Sequence, residues 1–369
     1  MSNYDIMLLV INMNQSEIIE IFLMVLLSFI VVGAIIPFIK KIANHIGAVD
    51  IPNERKVHKV PMPRLGGLGI FFGFLFGYMI FGTPSSTMNS ILIGSFIIVL
   101  TGVVDDIKPL KPSTKFAGQL IAAAIIAFYG GILLKDVSAF GIYLDFGFFS
   151  YPLTIFFILG CINCMNLIDG LDGLAGGISA IYFLTIGIIS IFNGNIGLDL
   201  VLTFVMLGST LGFLLHNFPP ATIFMGDSGS MFLGFIIAVI ALLGFKNVTM
   251  TSLIIPLLIL AIPILDTIFA IIRRLLKGES ISTPDKFHIH HQLIKRNFTQ
   301  KQTVLIIYFI NILFATASIV FFIQDRILGY IIYSILIIIV VFFVIKTNVI
   351  FEFSNIKPKF LEKFMFKKK

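Results

Sequence analysis

Apolar runs of about twenty residues recur from one end of this chain to the other, and they decide most of what it can fold into. Each run is long enough to cross roughly 30 Å of hydrocarbon as a helix. Lipid offers the backbone no hydrogen-bond partners, so the spans have to be helical. Composition agrees: 58% of the 369 residues are hydrophobic and 12% charged, against about 45–50% and 25% in a soluble domain. The expected fold is an all-α polytopic integral membrane protein, a single transmembrane domain over 1–369 with about eleven spans. The spans are placed at 18–39, 66–82, 89–104, 115–133, 151–168, 174–192, 197–215, 229–245, 251–272, 303–323 and 328–346. No repeat, soluble domain or low-complexity linker interrupts them.

Lysine and arginine set the expected orientation. Assigning alternate loops to one side puts 23 of the 26 basic residues there, in 40–64, 105–115, 273–301 and the tail 347–369 with its flanking Lys346. Only Lys135, Lys246 and Arg326 fall on the other side. The N-terminus is therefore expected outside and the C-terminus in the cytoplasm, which requires an odd number of spans. The first span lacks a basic leader and a small-residue cleavage site, so it reads as a retained helix. The net charge of +7 is a topology signal on this reading. It calls for no nucleic-acid partner, and the Lys-rich tail suits an anionic membrane surface. Cys161 and Cys164 form a lone C-x-x-C with no second pair to complete a metal site, and read as small buried residues.

The remaining polar residues gather on the same side. All six histidines lie there, as do "VVDDIKPLKPSTK" (103–115), "NLIDGLDG" (166–173) and "IFMGDSGS" (223–230). The loops at about 167–173 and 216–228 contain no Lys or Arg. Ionisable groups at membrane depth are costly and usually mark function. Carboxylates converging without local counter-ions need a cation from elsewhere. Mg²⁺, with Mn²⁺ as its substitute, is the hard divalent ion that suits oxygen ligands and a phosphate substrate.

Spacing adds a geometric condition. Asn163, Asn166, Asp169 and Asp172 recur every third residue, and on an ideal helix each step of three falls about 60° short of a full turn. The four can face one way only if the helix tightens or breaks, and Gly170 and Gly173 suit a break. Asp105 and Asp106 stand about 100° apart on a helix and should divide roles. "DIPNERKVHKVPMPRLGG" (50–67), carrying Arg64, and "RRLLKGESISTPDKFHIHHQLIKR" (273–296), carrying His288, His290 and His291, are basic stretches suited to phosphate; the three histidines could equally ligate a metal. Asp266 lies about two turns inside its span, where a packing hydrogen bond and a direct role both remain open.

Five motifs occurring in order, "DIPNERKVHKVPMPRLGG", "GVVDDIKPLKPSTKFAGQ", "NCMNLIDGLDGLAGG", "HNFPPATIFMGDSGSMFLG" and "PILDTIFAIIRRLLKGESISTPDKFHIHHQL", resemble the polyprenyl-phosphate N-acetylhexosamine-1-phosphate transferases, the MraY–WecA–TagO group. The resemblance covers roughly residues 50–295. His288-Ile289-His290-His291 looks like the branch that uses UDP-GlcNAc; the branch taking UDP-MurNAc-pentapeptide usually shows three consecutive histidines. The resemblance implies an MraY-like architecture and transfer of GlcNAc-1-phosphate from UDP-GlcNAc to undecaprenyl phosphate, releasing UMP, at the cytoplasmic face of a bacterial membrane. It implies Asp227 as the principal Mg²⁺ ligand, with Asp105 a candidate base or lipid-phosphate partner and Asp106 shaping the site. Asn166, Asp169 and Asp172 would surround the metal and the uridine diphosphate, the two aspartates as catalytic candidates, with Asn163 a further substrate-binding candidate. Arg64, Lys108 and Lys115 would meet phosphate oxygens, with Lys111 as the alternative to Lys108, and His288, His290 and His291 the pyrophosphate. A homodimer is allowed. A phosphate monoester is already ionised near neutral pH, its second pKa being about 6, so direct attack by the lipid phosphate is expected over an aspartyl intermediate.

Two other classes compete. A transporter of a polyanion would use intramembrane carboxylates and broken helices, but near the midplane and usually with internal repeats. The CDP-alcohol phosphotransferases carry a longer DG…AR…G…D…D signature that this chain lacks.

Overall fold

The computed structural model describes residues 14–52, 60–139, 142–194, 197–244, 251–278, 288–323 and 326–346. The tail 347–369, residues 53–59 of the first basic loop and residues 279–287 of the last lie outside the described residues. Within them, helix dominates: α1 (Gln15–Ile46), α2 (Gly66–Phe81), α3 (Ser86–Ile107), α4 (Pro112–Ala124), α5 (Ser150–Ile168), α6 (Leu174–Phe192), α7 (Leu198–Asn217), α8 (Gly226–Gly244), α9 (Thr251–Ile259), α10 (Ala261–Lys277), α11 (Ile289–Lys295), α12 (Gln300–Ile323) and α13 (Arg326–Lys346). By length and composition, seven of the described helices suffice to cross a membrane. Two shorter apolar helices, Gly66–Phe81 and Ile327–Val340, accompany them. The protein is an all-α polytopic membrane protein.

Three local features depart from the expected pattern. The predicted span 251–272 is broken at Leu260, between α9 and α10. Pro263 has no N–H to give the carbonyl of Ile259, which removes a helical hydrogen bond at this point. Helix α4 opens with Pro112 in its first turn and widens into a π-type turn over Ile125–Tyr129. Two short antiparallel strand pairs also occur: β1 (Val49–Asp50) with β2 (Met62–Pro63), and β3 (Asp136–Ala139) with β4 (Ile142–Asp145). Each pair lies between helices, where the connection doubles back.

Helix α8 is the axis of the fold. Its residues from Ser228 to Leu243 are buried, as an all-round apolar helix should be. It packs on α3 and α5, with α2 alongside. Small residues allow the close approach: a Cβ built on Gly102 of α3 would overlap the backbone of Ser228. Helix α7 lies against α1, α2 and α6. Pro37 inside α1 deprives the Gly33 carbonyl of its helical partner. The Nε2 of His216 reaches that oxygen at 3.0 Å, which gives this histidine a packing role.

Candidate active site

The site is built where the N-terminus of α8 meets the strand pair β1–β2. The backbone after β2 zips onto the segment before α8: Phe224 N–H donates to the Pro63 carbonyl at 2.8 Å, and Gly66 and Gly67 donate to the carbonyls of Phe224 and Met225 at 3.0 and 2.8 Å. Gly226 then turns the chain into α8 with φ of 73°. A Cβ there would fall on the Arg64 carbonyl and the Asp106 carboxylate, so only glycine fits.

Asp106, at the end of α3, binds this helix start. Its carboxylate accepts from the backbone N–H of Asp227 at 2.9 Å, from that of Ser228 at 3.1 Å and from the Ser228 hydroxyl at 2.8 Å. It acts as the cap that the first turn of a helix needs, supplied from 121 residues away. Its neighbour Asp105 faces elsewhere, accepting from Leu110 N–H at 2.8 Å and facing Lys115 Nζ at 3.4 Å. The two aspartates thus do different work.

Asp227 sits between two cations. Lys115 Nζ donates to its Oδ2, and an Arg64 guanidinium nitrogen lies 3.9 Å from its Oδ1. Arg64 also lies 3.5 Å from Asp106 and 3.6 Å from Asp50. The absence of Lys and Arg from the 216–228 loop therefore does not leave Asp227 without counter-ions; they arrive from other parts of the chain.

The opposite wall is the break between α5 and α6. Helix α5 ends at Ile168, Asp169 leaves the helical region, and Gly173 takes φ of 75° before α6 begins. The required interruption is present. Gly173 supplies its left-handed residue, while Gly170 supplies room: a Cβ on Gly170 would collide with the His290 ring. Asp172 accepts from Ala221 N–H at 3.0 Å, and Asn166 donates to the Ser230 hydroxyl at 2.9 Å. Neither Asp169 nor Asp172 makes an ion pair among the described residues. Loss of hydration at the cavity wall, reinforced by the neighbouring Asp106 charge, lifts the Asp169 carboxyl from near 3.8 to about 7, against the pull of Arg64.

Between the walls lies a cavity of about 650 Å³, within the range of roughly 300–1,000 Å³ usual for small-molecule sites. Arg64, Asn166, Asp169, Asp172, Asp227 and His291 line it. Asp105, Asp106 and Lys115 stand one contact away, behind Asp227 and Arg64. His288 and His290 are buried beside the cavity. Asp266, itself 1% exposed, lies 2.7 Å from His288 Nδ1 and accepts Ile289 N–H at 2.9 Å. His290 stacks parallel to His288 at 5.6 Å and, among the described residues, has no hydrogen-bond partner at either ring nitrogen. Burial, with His291 close by, pushes its imidazole down to about 3, so it is neutral. Three of the residues singled out in the sequence are not brought to the cavity. Asn163 is exposed on α5 and bonds Gln119 and the Leu159 carbonyl; Lys108 and Lys111 are exposed.

Asn217 is a residue the sequence did not single out. It lines the cavity and ties the α5–α6 break to the α7–α8 loop, accepting Gly173 N–H at 2.9 Å and donating to the Ile223 carbonyl at 2.8 Å. Its place directly before "FPP" in a polar loop was the one available signal.

The donor chemistry suits Mg²⁺, since three carboxylates and an amide oxygen are hard ligands. No three His, Cys, Asp or Glu side chains gather round one point among the described residues.

The sequence pattern of glycosyl transferase family 4 matches residues 88–245. A probable undecaprenyl-phosphate N-acetylglucosaminyl 1-phosphate transferase of Bacillus subtilis is 42% identical over 313 residues, 84% of this chain and 87% of the relative. A decaprenyl-phosphate N-acetylglucosaminephosphotransferase of Mycobacterium tuberculosis is 33% identical over 77% of this chain and 78% of its own length. An undecaprenyl-phosphate alpha-N-acetylglucosaminyl 1-phosphate transferase of Escherichia coli is 30% identical over 73% and 75%. On this similarity the chain belongs to the polyprenyl-phosphate N-acetylhexosamine-1-phosphate transferases of glycosyl transferase family 4.

Proposed function

We propose that this protein transfers GlcNAc-1-phosphate from UDP-GlcNAc to undecaprenyl phosphate, giving undecaprenyl-diphospho-GlcNAc and UMP. One observation carries the reading: residues from four of the five motifs line a single cavity, and the fifth, with Asp106 and Lys115, braces it through ion pairs. An oxygen of the lipid phosphate attacks the sugar-bearing phosphorus, a new P–O bond forms, and the bond to the UMP phosphate breaks with its electron pair leaving on UMP. No oxidant or reductant is involved.

The chain's own residues bind and orient. Arg64 and Lys115 exchange their carboxylate partners for phosphate oxygens, Arg64 as a fork and Lys115 as a point charge. Asp106 holds the start of α8 and hence Asp227. Both of its oxygens already accept hydrogen bonds, which favours direct attack by the lipid over a covalent intermediate there. His291 faces the cavity, and neutral His290 offers an unpaired ring nitrogen beside Gly170. Asp227, with Asp169 or Asp172, would hold Mg²⁺ or Mn²⁺, which when bound supplies charge neutralisation at the cleaved pyrophosphate.

The eleven-span arrangement with an outer N-terminus and the cavity on the cytoplasmic side is part of the same reading. It rests on 23 of 26 basic residues sharing that side. UDP-sugars are then met in the cytoplasm and the lipid from the bilayer. The test mixes detergent-solubilised protein, undecaprenyl phosphate and Mg²⁺ with a panel of UDP-sugars and measures UMP. Release is expected with UDP-GlcNAc and dependent on lipid; silence with every sugar from folded protein contradicts the reading.

A further inference from the structure

Gly173 is the pivot of the α5–α6 break, and side chains from two other helices hold its backbone. Its N–H donates to Asn217 on α7 at 2.9 Å, and its carbonyl accepts from the Tyr308 hydroxyl on α12. Tyr308 lies beyond the region matching the family pattern, does not line the cavity and is half-buried. Its hydroxyl end fills the notch left by Gly177, where a built Cβ would overlap the Tyr308 Cζ and hydroxyl oxygen. The carbonyl it holds also accepts Gly177 N–H at 2.8 Å, so the hydroxyl ties α12 to the first turn of α6 at the one residue in the break with positive φ. Asp172 is the next residue back, and Asp169 begins the same excursion.

We propose that Tyr308 is a positioning residue for this wall. Its hydroxyl fixes the left-handed Gly173 and thereby holds Asp169 and Asp172 toward the cavity, where the diphosphate end of the sugar nucleotide binds. The assignment rests on the transferase reading. A free backbone hinge at Gly173 would have to order itself on each binding event, and that cost falls on the nucleotide and not on the lipid.

Steady-state kinetics of Tyr308→Phe, with UDP-GlcNAc and undecaprenyl phosphate each varied, test it. The KM for UDP-GlcNAc should rise about five- to tenfold, the scale of one lost hydrogen bond, with the lipid KM and the melting temperature close to wild type. Gly177→Ala, whose methyl would overlap the same phenol at its hydroxyl end, should reproduce the rise in the UDP-GlcNAc KM over the lipid KM. If either variant loses turnover, calorimetric titration with UDP gives the same comparison as weakened binding. Wild-type values of both KMs, or equal increases in both, overturn the proposal while wild-type UMP release leaves the transferase reading standing. A wild-type enzyme that releases no UMP overturns both.

Discussion

The two walls of the cavity carry similar carboxylates and treat them in opposite ways. On the α8 side, Asp227 and Asp106 are matched by Arg64 and Lys115, and Asp106 is saturated with hydrogen bonds. On the α5–α6 side, Asp169 and Asp172 have amide partners at most, and Asp169 holds its proton to about pH 7. One wall is pre-neutralised and closely hydrogen-bonded; the other is a broken helix whose aspartates form no ion pair among the described residues. On the proposed function, phosphate oxygens would be drawn to the cations of the first wall and a divalent ion would answer the charge of the second, with Asp227 between them.

The largest effect should come from Asp227, which stands between the two. Asp227→Asn is expected to cut UMP release by about a hundredfold or more, the scale of removing a group aimed at transition-state charge. Near-normal turnover at ordinary Mg²⁺ would break the comparison. Next comes the backbone of the first wall. Gly226→Ala places a methyl against Arg64 and Asp106 at a positive φ and should destabilise by roughly 1–3 kcal/mol, seen as a lowered melting temperature.

The second wall gives a pH signature. Asp169 ionises near 3.8 in the unfolded chain but near 7 in the fold. Its contribution to stability is therefore full below about pH 3.8 and lost as pH rises through about 7. Asp169→Asn stays neutral, so metal-free variant and wild type should melt alike in acid and diverge in the variant's favour toward pH 8. A gap that does not change with pH contradicts the assigned environment. The smallest contrast separates the lysines. Lys115→Ala removes a cation bonded to Asp227 and should lower kcat/KM by about tenfold or more, whereas exposed Lys108→Ala should change it by no more than about twofold, in keeping with the small effects of surface charges.

Much of this site was legible before any coordinates. The three-residue spacing of Asn163, Asn166, Asp169 and Asp172 called for an interruption if all four were to face one way; a break is present at Asp169–Gly173, and the last three of the four line the cavity. The 100° between Asp105 and Asp106 demanded different partners, and they have them. What stayed hidden depended on pairs far apart in the chain. Nothing local says that Asp106 will cap a helix 121 residues on, that Lys115 will answer Asp227, or that Asp266 will hold His288. Asn163 shares the sequence period of its neighbours, yet it lies about 60° round α5 from Asn166, and its amide turns to Gln119 and the Leu159 carbonyl. The β1–β2 pair was invisible because two residues per strand leave no alternation to read.

The fate of the β-phosphorus of the sugar nucleotide tests the proposed transfer most directly. UDP-GlcNAc labelled in both the sugar and the β-phosphate, incubated with the protein, undecaprenyl phosphate and Mg²⁺, should deliver both labels to the lipid in equal amounts, with uridine left behind as UMP. Sugar reaching the lipid without its phosphorus, with UDP released, would contradict the account, as would lipid carrying neither label.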